Sequence, residues 1–195
     1  MPSLRFVLDP NLKIEELGNY HDDVVAALRL FFSPAAPDFG ARFVGCSKAE
    51  IERQLENRIL ESDNRSTFAV LASLKAYFRV DFNLRCRERL KDNLSRYFRS
   101  VERTRADRVR LDEDILEGWK QHSNASALLI NQIRAALKLR HWLAHGRYWT
   151  PKLGQKYDFA GVYLLANVIV SGFHLDHWDE RFPGKQPKNP PPQLN

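Results

Sequence analysis

Cysteine is scarce in this chain: Cys46 and Cys86 are the two present in 195 residues. They stand 40 positions apart and form no C-x-x-C pair. That excludes a disulfide scaffold and a zinc ribbon, and suits a reducing, cytoplasmic setting. A long apolar run is also missing. The longest stretch without charge, residues 159–175, covers 17 positions and carries Asn167, Ser171 and His174, so it reads as a buried helix and not as a membrane span. The opening MPSLRFVLDP lacks the apolar core of a signal peptide. No G-x-S-x-G elbow, Walker loop or G-x-G-x-x-G turn occurs, which argues against serine hydrolases and nucleotide-binding enzymes. Strand patterning is confined to Leu4-Arg-Phe-Val-Leu8. What is present, 44% hydrophobic and 28% charged residues, is ordinary for a globular chain.

Negative charge is missing from one region in particular. Residues 118–157 contain seven Lys/Arg and no Asp or Glu, where about five acids would fall at the chain's average frequency. A second basic segment, residues 79–110, holds 11 Lys/Arg against five acids. The net charge of +6 therefore conceals two basic segments in an otherwise acidic protein. Carboxylates repel phosphates, so an acid-free surface suits a polyanion such as RNA. The segment 79–110 reads equally as a solvated helical face with intrahelical ion pairs.

Helical periodicity runs through most of the chain. Residues 12–32 repeat apolar positions at helical spacing, and Pro34, Pro37 and Gly40 then mark a loop. Ser47-Lys-Ala-Glu50 is a capping box that opens a helix to about Ser62. Asn64 is a candidate cap for a long segment to about Arg103, broken in its middle to make a hairpin. Further helices are predicted over 112–122, 124–144 and 158–173. The reading is one all-α bundle over residues 1–182, followed by a Pro-rich tail, 183–195, expected to be disordered.

Chemistry concentrates where the helix from Asn124 ends. At 100° per residue, Asn131, Arg134, Lys138, His141 and His145 share one stripe, with Leu129, Ile133, Ala136 and Leu137 on the other side. Arg140 falls on the apolar side, roughly 140° from His145. A guanidinium there needs an anion, a set of carbonyls or a cleft. Gly146 follows His145 as a helix stop, which leaves His145 able to turn toward Arg140.

Arg140-His141-Trp142-Leu143-Ala144-His145 resembles the R-x4-6-H motif of HEPN domains, including their preference for Asn, Asp or His directly after the Arg. The resemblance implies an antiparallel all-α bundle that forms a homodimer, with a composite active site at the interface. It also implies a metal-independent endoribonuclease, often a toxin or anti-phage effector, without cofactor and with an antitoxin or regulatory protein as partner. Arg140 and His145 would then be catalytic and His141 a polar orienting residue. Lys138, Arg134, Arg147 and Tyr148 are the candidate RNA contacts.

Two rivals come from other classes. His141 and His145 at i,i+4, with His174 and His177, could hold zinc, but Trp142 stands where a zincin requires Glu and the window offers no carboxylate. The stronger rival is a helical RNA-binding or partner-binding module without catalysis, using the basic stripe and stacking bases on Trp142, Tyr148 and Trp149. Trp119 and Trp178 read as packing residues.

Overall fold

The computed structural model describes residues 13–151, 153 and 157–175, all of them in helices or the turns between them. The strand-like Leu4–Leu8, His177, Trp178 and the Pro-rich tail lie outside the described residues. The all-α reading holds, and no strand occurs among the described residues.

Helix α1 (Ile14–Phe31) carries Glu15 and Glu16 in its first turn and Arg29 in its last, charges of the sign that each helix end favours. The loop after it contains one short helix, α2 (Phe39–Arg42). Phe31, Phe32, Phe39 and Phe43 cluster there, with ring centroids 5.0–6.2 Å apart, separate from the main core.

Helix α3 (Lys48–Arg87) starts at the predicted capping box, where Ser47 Oγ accepts from the Glu50 amide and Glu50 accepts from the Ser47 amide. It does not stop near Ser62 or restart at Asn64, but runs on for 40 residues. The predicted boundary contains no Gly or Pro, and the small helix penalty of Ser, Asp and Asn is overcome by tertiary contacts. Asp63 accepts from Nε2 of buried His21 on α1 at 2.8 Å, and that imidazole stacks on Phe159 at 3.7 Å.

The predicted break in the hairpin falls at residues 88–92. Arg89 adopts a left-handed φ of 51° there, and Asp92 caps α4 (Asn93–Arg105) by accepting from the Ser95 amide. After one tight turn, residues 111–116 form a wide helical turn in which the Ile115 amide donates to the Arg110 carbonyl. That turn leads into α5 (Glu117–His122). Helix α6 (Ala127–Ala144) and helix α7 (Phe159–Gly172) complete the bundle, the latter capped by Asp158 on the Gly161 amide.

Helix α3 is the centre of the molecule, with α1, α4, α6 and α7 packed around it. Leu71, Leu74 and Phe78 of α3 are buried with Phe98, Ile115, Ile130, Ile133, Ile169 and Leu175. Each such side chain contributes about 1.5–3 kcal/mol relative to exposure. The N-terminal part of α3 is different: no residue from 48 to 65 is buried. Inside the core, Arg85 Nε donates to both oxygens of fully buried Asp81 at 2.9 Å, and its guanidinium lies over the Trp119 ring. No helix among the described residues is long and apolar enough to cross a membrane. The apolar stretch 159–175 is α7 and its exit, with Phe159, Val162, Ala166, Ile169 and Val170 buried.

Candidate active site

Helix α6 presses Ile130, Ile133, Ala136 and Leu139 into the core. The helical period therefore places Arg134, Lys138 and His141 on its outer side. It ends as its sequence predicts. The amide of His145 donates back to the carbonyls of His141 and Trp142, and Gly146 takes a φ of +83°, a left-handed exit that glycine accepts without steric cost. Arg147 follows with a φ of +58° and donates its amide to Trp142, while the indole Nε1 of Trp142 donates to the Trp149 carbonyl at 2.6 Å. Trp142 is thus half-buried packing that ties down the chain leaving α6.

His145 is the C-cap and leaves the helix in the bridge region, φ −100° and ψ 22°. Its imidazole lies on the His141 side, with ring centroids 4.2 Å apart. Both histidines are exposed, and neither imidazole has a hydrogen bond or ion pair among the described residues. No group of three or more His, Cys, Asp or Glu side chains converges on one point among the described residues. His141 also faces a groove of about 390 Å³ lined by Arg134, Lys138, Trp142, Trp149 and Leu153 among others.

Arg140 points elsewhere, toward α3. Its guanidinium carbon lies 5.2 Å from the centre of the Phe68 ring, and its Nε is buried with no hydrogen-bond partner. Lys75 of α3 feels it: burial first, then the charges of Arg140 and Arg79, push the Lys75 ammonium below its ordinary range. The helix brings His141 and His145 together, while no hydrogen bond or ring contact joins either of them to Arg140.

The other candidate residues divide by what they touch. Lys138 is exposed on the groove wall, and Tyr148 is 82% exposed with its edge against Trp149. Arg134 is clamped by Asp112 and by Glu117 Oε2, the latter at 2.6 Å. Those two pairs raise the Arg134 pKa against the opposing effect of burial. Arg147 donates to Glu61 of α3 at 2.7 Å, and that hydrogen bond holds the Glu61 carboxyl below its usual range. The acid-free window of the sequence thus meets carboxylates in space, supplied by α3 and by residues 112–117. Phe68, Lys75 and Glu61 escape a sequence reading because their relevance depends on α3 running antiparallel to α6. Only the i,i+7 spacing of Phe68 and Lys75 could have marked them as one face.

Comparison of the chain with protein-family models, with curated proteins and with solved structures finds no match to any of them.

Proposed function

We propose that the end of α6 is the reactive centre of a metal-independent, HEPN-type endoribonuclease that works as a homodimer. The observation that carries the reading is a part-buried Arg140 without a counterion on the same short segment as two facing, unpaired imidazoles. An imidazole is the side chain suited to proton transfer near neutral pH. A guanidinium without a protein carboxylate is free to hold a phosphate and to stabilise charge building up on it.

In this reaction one imidazole, that of His145, removes the proton of a ribose 2′-hydroxyl. The 2′-oxygen then attacks the adjacent phosphorus, and the bond to the 5′-oxygen breaks. A second imidazole, as imidazolium, gives its proton to the departing 5′-oxygen. The products are a 2′,3′-cyclic phosphate and a 5′-hydroxyl. Because Arg140 faces α3 and His141 faces the groove, a two-fold axis that brings Arg140 of one copy to the histidines of another completes the site. The groove beside His141, with Trp149 and Lys138 on its walls, is the place for a neighbouring base. A role as a growth-arresting toxin or anti-phage effector, held in check by a partner protein, follows from the same reading.

Purified protein should cleave RNA in the presence of EDTA and leave cyclic-phosphate ends. Arg140→Ala and His145→Ala should each lower the rate by about 10²–10³-fold, the scale of losing one transition-state donor or one proton-transfer group, with RNA binding retained in His145→Ala and weakened by one lost phosphate contact in Arg140→Ala. Ends bearing 5′-phosphate and formed only with magnesium would overturn the mechanism. Binding without cleavage by the wild type would assign the segment to a non-catalytic RNA module.

A further inference from the structure

Among the described residues, six cationic side chains are buried or half-buried: Lys75, Arg79, Arg85, Arg99, Arg134 and Arg140. The fold provides partners for four of them. Arg79 donates to the Val109 carbonyl at 2.8 Å, Arg99 to the Leu90 carbonyl at 2.7 Å, and Arg85 and Arg134 bind carboxylates. Lys75 and Arg140 are the two without a hydrogen bond or an ion pair; Arg140 reaches across the seam between α3 and α6 to Phe68, which shares a face of α3 with Lys75 two turns on.

The register of that seam fixes the arrangement. Glu61 of α3 meets Arg147, and Phe68, two turns further along, lies under Arg140. Lys75 comes two turns after Phe68 on the same face, and Arg79 one turn beyond. Phe68 covers one face of the Arg140 guanidinium with a π surface, which leaves its edge for an acceptor. The carboxylate whose charge acts on Arg79 is that of Asp114, whose oxygens already take the Arg105 guanidinium at 3.1 Å and the Arg110 amide at 2.6 Å. Lys75 therefore faces two arginines and no free acid. Half-buried like charges repel each other in a medium that screens poorly, and an arrangement of this kind is relieved by a bound anion.

We infer that Lys75 and Arg140 together hold one phosphodiester group of an RNA strand in the α3–α6 seam, with Lys75 as a substrate-binding residue contributed by α3. The inference rests on the ribonuclease reading for the identity of the strand. Its geometry stands on the two unpaired cations alone. Arg140 presents a planar fork of donors and Lys75 a compact ammonium, so a tetrahedral phosphate can accept from both at once.

The test uses a 2′-O-methyl oligoribonucleotide, which lacks the attacking hydroxyl, and measures its binding to the full chain as KCl is varied. Lys75→Gln should weaken binding by about tenfold and lower the salt slope by about 0.7, the value for one lost single-strand phosphate contact. Lys75→Arg should keep the wild-type slope. Lys48→Gln, about 40 Å away along the same helix and paired with Glu52, should leave it unchanged. Thermal melting controls for folding, and Lys75→Gln should melt no lower than wild type because it removes a repelled charge. An unaltered slope in Lys75→Gln, or no binding by the wild type, would overturn the inference. Tight, Lys75-dependent binding of AMP that displaces the oligonucleotide would overturn the strand assignment in favour of a free-nucleotide site. A Lys75-dependent slope in a protein that never cleaves natural RNA would uphold the phosphate clamp and sink the nuclease reading. Cleavage with an unaltered slope would do the reverse.

Discussion

Two glycines on buried seams set how closely helices approach. A Cβ at Gly118 would come within 2.6 Å of the Phe98 ring and 2.7 Å of the Tyr97 ring, and one at Gly18 within 2.6 Å of Tyr163. Gly40, in α2, has nothing within 4 Å of its Cβ position. Gly118→Ala should therefore destabilise the fold by about 1–3 kcal/mol through overpacking, whereas Gly40→Ala should stabilise it by up to about 1 kcal/mol. A urea titration of both variants checks the pair, and equal effects would refute the close approach at Gly118. At this scale the sequence was informative about direction and silent about partners. The helical period already separates Arg140 from the histidines, and Gly146 already marks the stop. That Arg134 and Arg147 end on Asp112, Glu117 and Glu61 was not legible, because those contacts join segments 17–86 positions apart.

Helix α3 shows where local signals suffice and where they do not. Its start was readable because a capping box is made within four residues, and Ser47→Ala should cost about 1 kcal/mol. Its continuity past residue 62 was not readable, since Ser62, Asp63 and Asn64 resemble a cap until His21 and Arg147 take hold of the acids around them. The same helix contains the buried Asp81–Arg85 pair one turn apart. Removing Asp81 leaves the Arg85 guanidinium only its polar contacts with Asp92 and Ser95, so Asp81→Ala should lower stability by about 1.5–3 kcal/mol. Denaturant unfolding measures this, and a loss below about 1 kcal/mol would show that water reaches Arg85 in the variant. Helix α6 was legible in full as an element. Its placement against α3, which turns Phe68 and Lys75 into neighbours of Arg140, depends on tertiary packing that no local pattern encodes.

For the molecule as a whole, the charge segregation seen along the sequence is partly neutralised in space. Much of the basic hairpin 79–110 is used internally: Arg79, Arg85, Arg99 and Arg105 bind carbonyls or carboxylates of the fold. Among the described residues, positive charge without an ion pair remains at the α3–α6 seam and the end of α6, and also on exposed Arg89, Lys91, Arg96 and Arg108 of the hairpin. One of the ties across the molecule has a defined pH dependence. Arg147 holds the folded Glu61 carboxyl below its ordinary value of 4.5, so the pair contributes fully above that pH and is lost as pH falls through the lower folded value. The stability gap between wild type and Arg147→Ala should be constant from pH 6 to 8 and close toward pH 3. A gap independent of pH would mean that the pair contributes nothing. Glu61 also sits near the point where α3 changes character, from a stretch with no buried residue to the core-forming stretch that begins at Ser66. A single unbroken helix therefore spans two regimes of amide exchange. Backbone protons of residues 52–61 should exchange with solvent through local opening of the α1–α3 end, while those of residues 70–82 should exchange only when the whole chain unfolds.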